Sequence, residues 1–221
     1  MPMDAPDTPI DVDIEPDLAV LLRLLDSATY QEWRPKLPAW LHHRHVATVA
    51  LSWLVGVRGP EICQLRVCDW RPGKREVVEV RGAEKIRMFR DRRQPILDVA
   101  RDCVGTYLKT VPFELPVDGP LLRRADGDGV TMNDHKTFDR VLKELSGGVV
   151  PHMANLTHRF CGYVERTMAK DGTIEHLVGR SGAWDDLEPT ANQLRRALIA
   201  AHPLGRGIPQ SKRQSIILSA G

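Results

Sequence analysis

LVGVRGPEICQLRVCDW, residues 54–70, is the stretch on which the fold turns. It sets an arginine inside a tight glycine-bounded turn, Val55-Gly56-Val57-Arg58-Gly59-Pro60, with a strongly apolar segment before it and a short helix after it. Gly56 is placed to end the preceding helix, and Pro60 to open the following one at its first position. A guanidinium held on so constrained a turn suits an anion, because its planar fork matches two oxygens at once. An internal ion pair from Arg58 to Glu61 or Asp69 accounts for the residue equally well.

Working outward, residues 40–55 read as a helix whose second half is apolar all round, and therefore buried. Upstream, Asp17-Leu-Ala-Val-Leu-Leu-Arg-Leu-Leu reads as the first helix, with Asp17 as its N-cap, and Pro35 and Pro38 mark a loop. Downstream, residues 76–81 alternate as a strand. The run Gly82 to Arg93 reads as a hairpin turn and return strand carrying five bases against two acids. Further helices are expected at 97–109, 133–146, 156–170, 173–179 and 190–201. The fold class is therefore α+β, mainly α: a helical domain with a small antiparallel β-sheet or hairpin. Its limits are expected at 17–203, with an acidic disordered leader at 1–16 and a basic, then apolar, tail at 204–221.

Composition narrows the function. The chain has 221 residues, 42% of them hydrophobic, which is enough for one ordinary core. No segment approaches the roughly 20 uninterrupted apolar residues of a membrane span. Cys63, Cys68, Cys103 and Cys161 form no CxxC pair, which favours reduced core thiols in a cytoplasmic protein over disulfides or zinc. The cluster His42-His43-Arg44-His45 is no metal site on this reading, since adjacent helical residues face different ways. No metal and no cofactor is expected. The net charge of +2 conceals six acids and no base in residues 1–17, so that residues 18–221 carry +8. A basic body of this kind suits a polyanion partner.

The order of elements and residues resembles the catalytic domain of the tyrosine recombinases, the phage-integrase family. That family shows a buried helix, a T-G-x-R turn and E-x-x-x-L-x-x-x-D; here Val55-Gly56-Val57-Arg58, Glu61, Leu65 and Asp69 stand at the same spacing. Its lysine hairpin ends in K-x-R-x-V-P-L, for which Lys85-Ile86-Arg87 is one candidate, and Arg90 with Arg92, counted back from Pro95-Ile96, is another. Its H-x-L-R-H-x-F matches at Leu156 and Phe160, and the same register places Thr173-Ile174 and Gly179 on the family's next helix without a gap. The resemblance covers residues 17–200.

Under that register most catalytic letters are replaced. The family's first histidine falls on Ala154, its second arginine on Thr157, its next-helix histidine on Arg180 and its nucleophilic tyrosine near Pro189. Arg58 and His158 remain, with Lys85 or Arg90 at the hairpin lysine position. The resemblance implies strand transfer through a phosphotyrosyl link, with two arginines on the phosphate oxygens and a lysine and histidine moving protons. Loss of the nucleophile removes the covalent route, and Thr190 or Ser181 without an adjacent base makes a poor substitute. The expectation is a catalytically inactive, recombinase-like protein that binds double-stranded DNA as an accessory or regulatory factor, cytoplasmic and nucleoid-associated. DNA contacts are expected from Arg58, Lys85, Arg87, Arg90, Arg92, Arg93, His158, Arg159, Arg180, Arg195 and Arg196. A module pairing with a second copy, an active recombinase or another regulator is the alternative, and an active site-specific recombinase a third.

Only 16 residues precede the first expected helix, so the family's separate N-terminal DNA-binding domain is not expected here. A half-clamp on DNA binds weakly and with strong salt dependence. The acidic leader can compete with DNA for the basic body. Deleting residues 1–16 is expected to tighten DNA binding in a gel shift, and unchanged affinity would dispose of the idea.

Overall fold

A computed structural model describes residues 17–72, 77–80, 91–166, 171–179 and 189–205. Helices α1 (Leu18–Leu24) and α2 (Ser27–Trp33) lead into the long α3 (Ala39–Trp53), then the short α4 (Gly59–Ile62). Strands β1 (Trp70–Arg71), β2 (Val77–Val80) and β3 (Arg92–Pro95) follow. Helices α5 (Asp98–Thr110), α6 (Met132–Leu145), α7 (Met153–Glu165), α8 (Asp171–Val178) and α9 (Ala191–Ala201) complete the described chain. The architecture is mainly helical with a small antiparallel sheet, as the sequence predicts.

Helix α3 is the axis of the core. Every residue from His45 to Val57 is buried, and α2, α5 and α7 pack round it. Each large apolar side chain so removed from water contributes roughly 1.5–3 kcal/mol before the entropy of ordering is counted. Leu51, Trp53, Leu54, Phe160 and Tyr107 form part of one cluster that joins the two halves of the chain.

The sheet runs in the order β1-β2-β3, antiparallel throughout, with Val78 opposite Gln94 and Val80 opposite Arg92. Because strand side chains alternate, Arg92 and Gln94 share the inward face with Val78 and Val80, while Arg93 faces out. The expected turn of the hairpin, with Lys85, Arg87 and Arg90, lies outside the described residues.

Around α1, α2 and α7 the structure departs from the sequence reading. Asp17 does not cap α1: its backbone (φ −93°, ψ 0°) is not in the extended region a cap needs, and its carboxylate accepts from Arg159 Nη2 at 2.6 Å. A helix that the sequence reading did not give follows α1 directly, because Asp26 accepts from the Ala28 N–H at 2.9 Å and starts α2. Helix α7 begins three residues before the expected 156, where extended His152 gives its N–H to Asn155 Oδ1 at 3.1 Å.

After α9 the chain returns to α3 through His202. Its Nδ1 accepts from the Leu204 N–H at 3.1 Å, leaving Nε2 to donate to Trp53 O at 3.2 Å. Its ring sits between Trp53 and Tyr163. Burial presses this imidazole down to about 3, against the hydrogen bond to Trp53, so it folds neutral. The unfolded chain takes up a proton near pH 6.5 that the folded chain refuses until about 3. Stability from this group is therefore complete above pH 6.5 and falls as the pH drops toward 3, by about 1.4 kcal/mol per pH unit. Urea titrations between pH 6 and 4 are expected to show a slope against pH that His202→Gln reduces by about that amount; equal slopes would contradict it.

Candidate functional site

The turn that opened the sequence reading is built on two contacts. Gly56 has φ +75°, and a Cβ there would lie 2.3 Å from the Phe160 ring on α7, so conformation and space both demand glycine. The Val57 N–H bonds Leu51 O at 2.9 Å and closes the turn. Arg58 then leads into α4 with its N–H donated to Glu61 Oε2 at 2.8 Å.

Glu61 is the hub. Its carboxylate accepts from Arg92 Nη1 at 2.6 Å and Nη2 at 3.0 Å, and from Arg58 Nη1 at 3.4 Å. The Glu61 and Arg92 side chains are each 1% exposed, Arg58 19%. Arg92 Nη2 also reaches Gly56 O at 3.2 Å, and Arg58 Nη2 donates to Val178 O at the end of α8. Burial foremost, then the Arg92 guanidinium, lowers the pKa of Arg58, with Glu61 opposing. Two guanidiniums thus converge on one buried carboxylate.

The end of α8 is fastened to β3 by the same residues' neighbours. Gln94 Nε2 donates to Leu177 O, and His176 Nε2 to Arg93 O at 3.0 Å. Gly179, at φ +66°, lies so close to the Arg92 guanidinium that a Cβ would stand 2.8 Å from it. The glycine that the sequence reading aligned on the next helix is thus the one that leaves room for Arg92.

Beside this hub lies a pocket of about 440 Å³. The Arg58 turn supplies Arg58, Gly59 and Pro60; α6 supplies Met132, His135, Lys136 and Asp139; α7 and its approach supply His152, Met153, Ala154, Thr157 and His158. Four sequence-predicted positions, Arg58, Ala154, Thr157 and His158, therefore meet at one cavity. Thr157 is buried, and Ala154 and His158 are exposed. Asp139 holds the α7 end in place, accepting from the Met153 N–H at 2.7 Å, and its other oxygen lies 3.4 Å from His152 Nδ1. Buried His135 has its Nδ1 2.9 Å from the Met153 sulfur, and burial foremost lowers its pKa, with Asp134 and Asp139 opposing and Arg44 adding to it.

Chemically, the pocket offers cations at Arg58 and Lys136 and an imidazole oriented by a carboxylate. Ala154 and Thr157 bring no cation. Among the described residues, none of those lining the pocket is a tyrosine. Tyr30 is buried with its hydroxyl donated to Leu24 O at 2.9 Å, and burial raises its pKa beyond the ordinary phenol range. Tyr107 accepts from the Arg123 N–H at 2.8 Å, and Tyr163 is buried against His202.

The remaining expected contacts scatter. Arg92 is corrected outright: its place opposite Val80 turns it inward onto Glu61, away from any surface partner. Arg159 pairs with Asp17 and lies outside the pocket lining. Arg93 is exposed, 4.0 Å from Glu79 Oε1. Arg195 lies 3.9 Å from Asp98 on α5, Arg196 is exposed, and Pro189 precedes the Thr190 cap of α9. Lys85, Arg87, Arg90 and Arg180 fall outside the described residues. Among those described, no three His, Cys, Asp or Glu side chains gather as metal ligands, and no helix is long and apolar enough to cross a membrane. His135, Lys136 and Asp139 escaped the sequence reading. The signal was present: Thr131-x-x-Asp134 is a capping box that fixes where α6 starts and which residues share a face.

No family model matches the chain. It is 24% identical over 172 residues to the tyrosine recombinase XerC of Rickettsia bellii (strain OSU 85-389), covering 75% of this chain and 53% of that protein. It is 26% identical over 148 residues to the tyrosine recombinase XerC of Agrobacterium fabrum (strain C58 / ATCC 33970), covering 64% and 44%. The chain spans about half the length of the curated relatives it matches. Among solved structures it is similar to the XerA recombinase (TM-score 0.57, 18% identity, 91% of this chain and 62% of that one). It is also similar to the XerH site-specific recombinase bound to difH substrate in a pre-cleavage complex (TM-score 0.54, 14% identity, 80% and 47%). The Tn1549 transposon integrase in complex with circular intermediate DNA has the same fold (TM-score 0.50, 17% identity, 71% and 57%).

Removing one member of a buried charge pair strands the other, at a cost of about 3–5 kcal/mol. Glu61→Gln is expected to lose that much stability in urea unfolding, and Glu61→Gln combined with Arg92→Met to regain most of it. A loss under about 1 kcal/mol in the single variant would remove Glu61 from the centre of the site.

Proposed function

We propose that this tyrosine-recombinase-like domain grips double-stranded DNA through the Arg58 pocket and does not itself cut the strand, acting as an accessory or regulatory factor. The observation that carries the reading is the pocket's composition. It keeps a buttressed arginine where a backbone phosphate would sit, yet Ala154 and Thr157 line the same cavity and no tyrosine does among the described residues. Each donor absent from the transition-state oxygens costs on the order of 3–4 kcal/mol, and without a nucleophile there is no covalent intermediate to stabilise. The hydroxyl of Thr157 is buried and has no cationic charge to offer a phosphate.

Support for DNA as the partner comes from two directions. XerH and the Tn1549 integrase, which share the fold, are proteins in complex with DNA. In this chain Arg58, Lys136 and His158 line one opening, and Lys85, Arg87, Arg90 and Arg93 follow Arg58 in the sequence. Arg195 and Arg196 on α9 are further cations that the reading enlists, and Arg180 is another in the sequence. The imidazole of His152, with its Nδ1 turned to Asp139, stands at the same opening. A homodimer, an active recombinase or another regulator would supply the specificity that one cationic face lacks.

A gel shift across a salt series tests this. Retarded duplex DNA is expected at about 50 mM salt, with an affinity that falls steeply as salt rises. Lys136→Gln is expected to flatten the log–log slope by about one, and reversal of Lys85, Arg87, Arg90 and Arg93 by several. A nicked suicide substrate is expected to give no covalent adduct. Absence of any shift at low salt would favour the protein-pairing module instead, and a trapped adduct would make the protein an enzyme.

A further inference from the structure

The motif His42-His43-Arg44-His45 has no part in the site above, and the structure gives it one. His42 Nε2 lies 3.1 Å from Arg34 O and His43 Nδ1 2.9 Å from Thr110 Oγ1, so these two rings tie α3 to its neighbours. Arg44 and His45 instead line a second pocket, of about 380 Å³, closed by the end of α2 and by α6. Helix α6 separates the two cavities. Its positions 132, 135, 136 and 139 face the Arg58 pocket, and 137, 140, 141 and 144 face this one.

Three guanidiniums, Arg34, Arg44 and Arg140, line this second pocket against one carboxylate, Glu144. Glu144 Oε1 is engaged by Trp33 Nε1 at 2.7 Å, and the Arg34 guanidinium lies 4.4 Å from the centre of the Trp33 ring. Arg44 is anchored by Nη1 on Arg123 O at 3.0 Å. Among the described residues, Arg34 and Arg140 have no carboxylate partner. His45 adds an unmet donor. Its Nε2 lies 3.4 Å from Arg44 Nη2, which can only donate, so the ring hydrogen of the neutral imidazole sits on Nδ1. That Nδ1 is buried with no hydrogen-bond partner, in a side chain only 9% exposed. Burial foremost, then Arg44, His42 and Arg34, presses the His45 pKa down to about 3, so protonation does not relieve the mismatch at neutral pH.

We infer that this α2–α3–α6 pocket binds the phosphate group of a small molecule, with Arg34, Arg44 and Arg140 as its charged donors. Phosphate fits better than carboxylate, because a phosphate monoester carries about −1.5 to −2 at neutral pH and matches the two cations left over after Glu144. The planar forks of arginine suit its several oxygens. The site is separate from the DNA reading, since its lining shares no residue with the Arg58 pocket.

Calorimetric titration of the full chain with pyrophosphate tests the inference. Saturable binding is expected. Arg34→Gln and Arg140→Gln are each expected to weaken it about tenfold, the loss of one charged hydrogen bond. Lys109→Gln, on α5, is expected to leave it unchanged. Both arginines are exposed, so unchanged thermal melting will show that the variants fold. In ¹⁵N-histidine spectra the Nδ1 resonance of His45 is expected to move on addition of pyrophosphate. Overturning results are absence of binding, equal weakening of citrate and pyrophosphate, or loss through Lys136→Gln with Arg34→Gln and Arg140→Gln unaffected. If the two arginine variants weaken only duplex DNA, and pyrophosphate does not bind, the pocket is a DNA contact and the small-molecule site is refuted.

Discussion

One buried carboxylate holds the molecule's two sequence halves in register. Glu61 takes a bidentate grip from Arg92 on β3 and a further bond from Arg58, while Arg58 reaches across to the carbonyl of Val178. Removing these charges from water is unfavourable, and a pair of this kind contributes specificity of arrangement more than net stability. What it secures here is position: the turn, the sheet and the end of α8 can meet in only one way. The Arg58 guanidinium is thus held by protein on one side and borders a cavity on the other.

Holding an anion and cutting a phosphodiester make different demands on such a pocket. Holding an anion needs a fixed positive charge and room, and the Arg58 pocket has both. Cutting a phosphodiester needs in addition a nucleophile and donors placed for the charge that develops. Ala154 and Thr157 line that pocket without bringing a cation, and the described tyrosines are committed to the core. The scaffold therefore keeps its shape through contacts that have nothing to do with chemistry: Gly56 against Phe160, Gly179 against Arg92, His202 against Trp53.

The legible part of the fold was the part governed by short-range rules. Gly56 and Pro60 end one helix and begin another whatever surrounds them, and the all-apolar second half of α3 must lie inside. Leu156 and Phe160, picked out by their spacing, fall on α7, and the Phe160 ring lies against Gly56 of the turn. The misread residues are those whose role depends on a partner far away in sequence. Arg92 looks like one of five hairpin cations, yet pairing opposite Val80 turns it inward to Glu61, 31 residues back. Asp17 looks like a cap, yet Arg159, 142 residues on, takes its carboxylate. Lys136 and Asp139 look like ordinary polar positions on an amphipathic helix until α7 is laid beside them.

By itself, then, the sequence determined the helical class, the buried α3, the glycine turn carrying Arg58 and the cationic excess of the body, because each follows from local geometry or from composition. Only the tertiary structure decided which cations are spent inside and which remain at a surface. It also decided that Arg58, Ala154, Thr157 and His158 share a cavity, and that α6 is a wall between two pockets. The physical reason is that an ion pair or a pocket joins groups by distance in space, and a charged letter in a chain carries no record of which opposite charge the fold will bring within three ångströms.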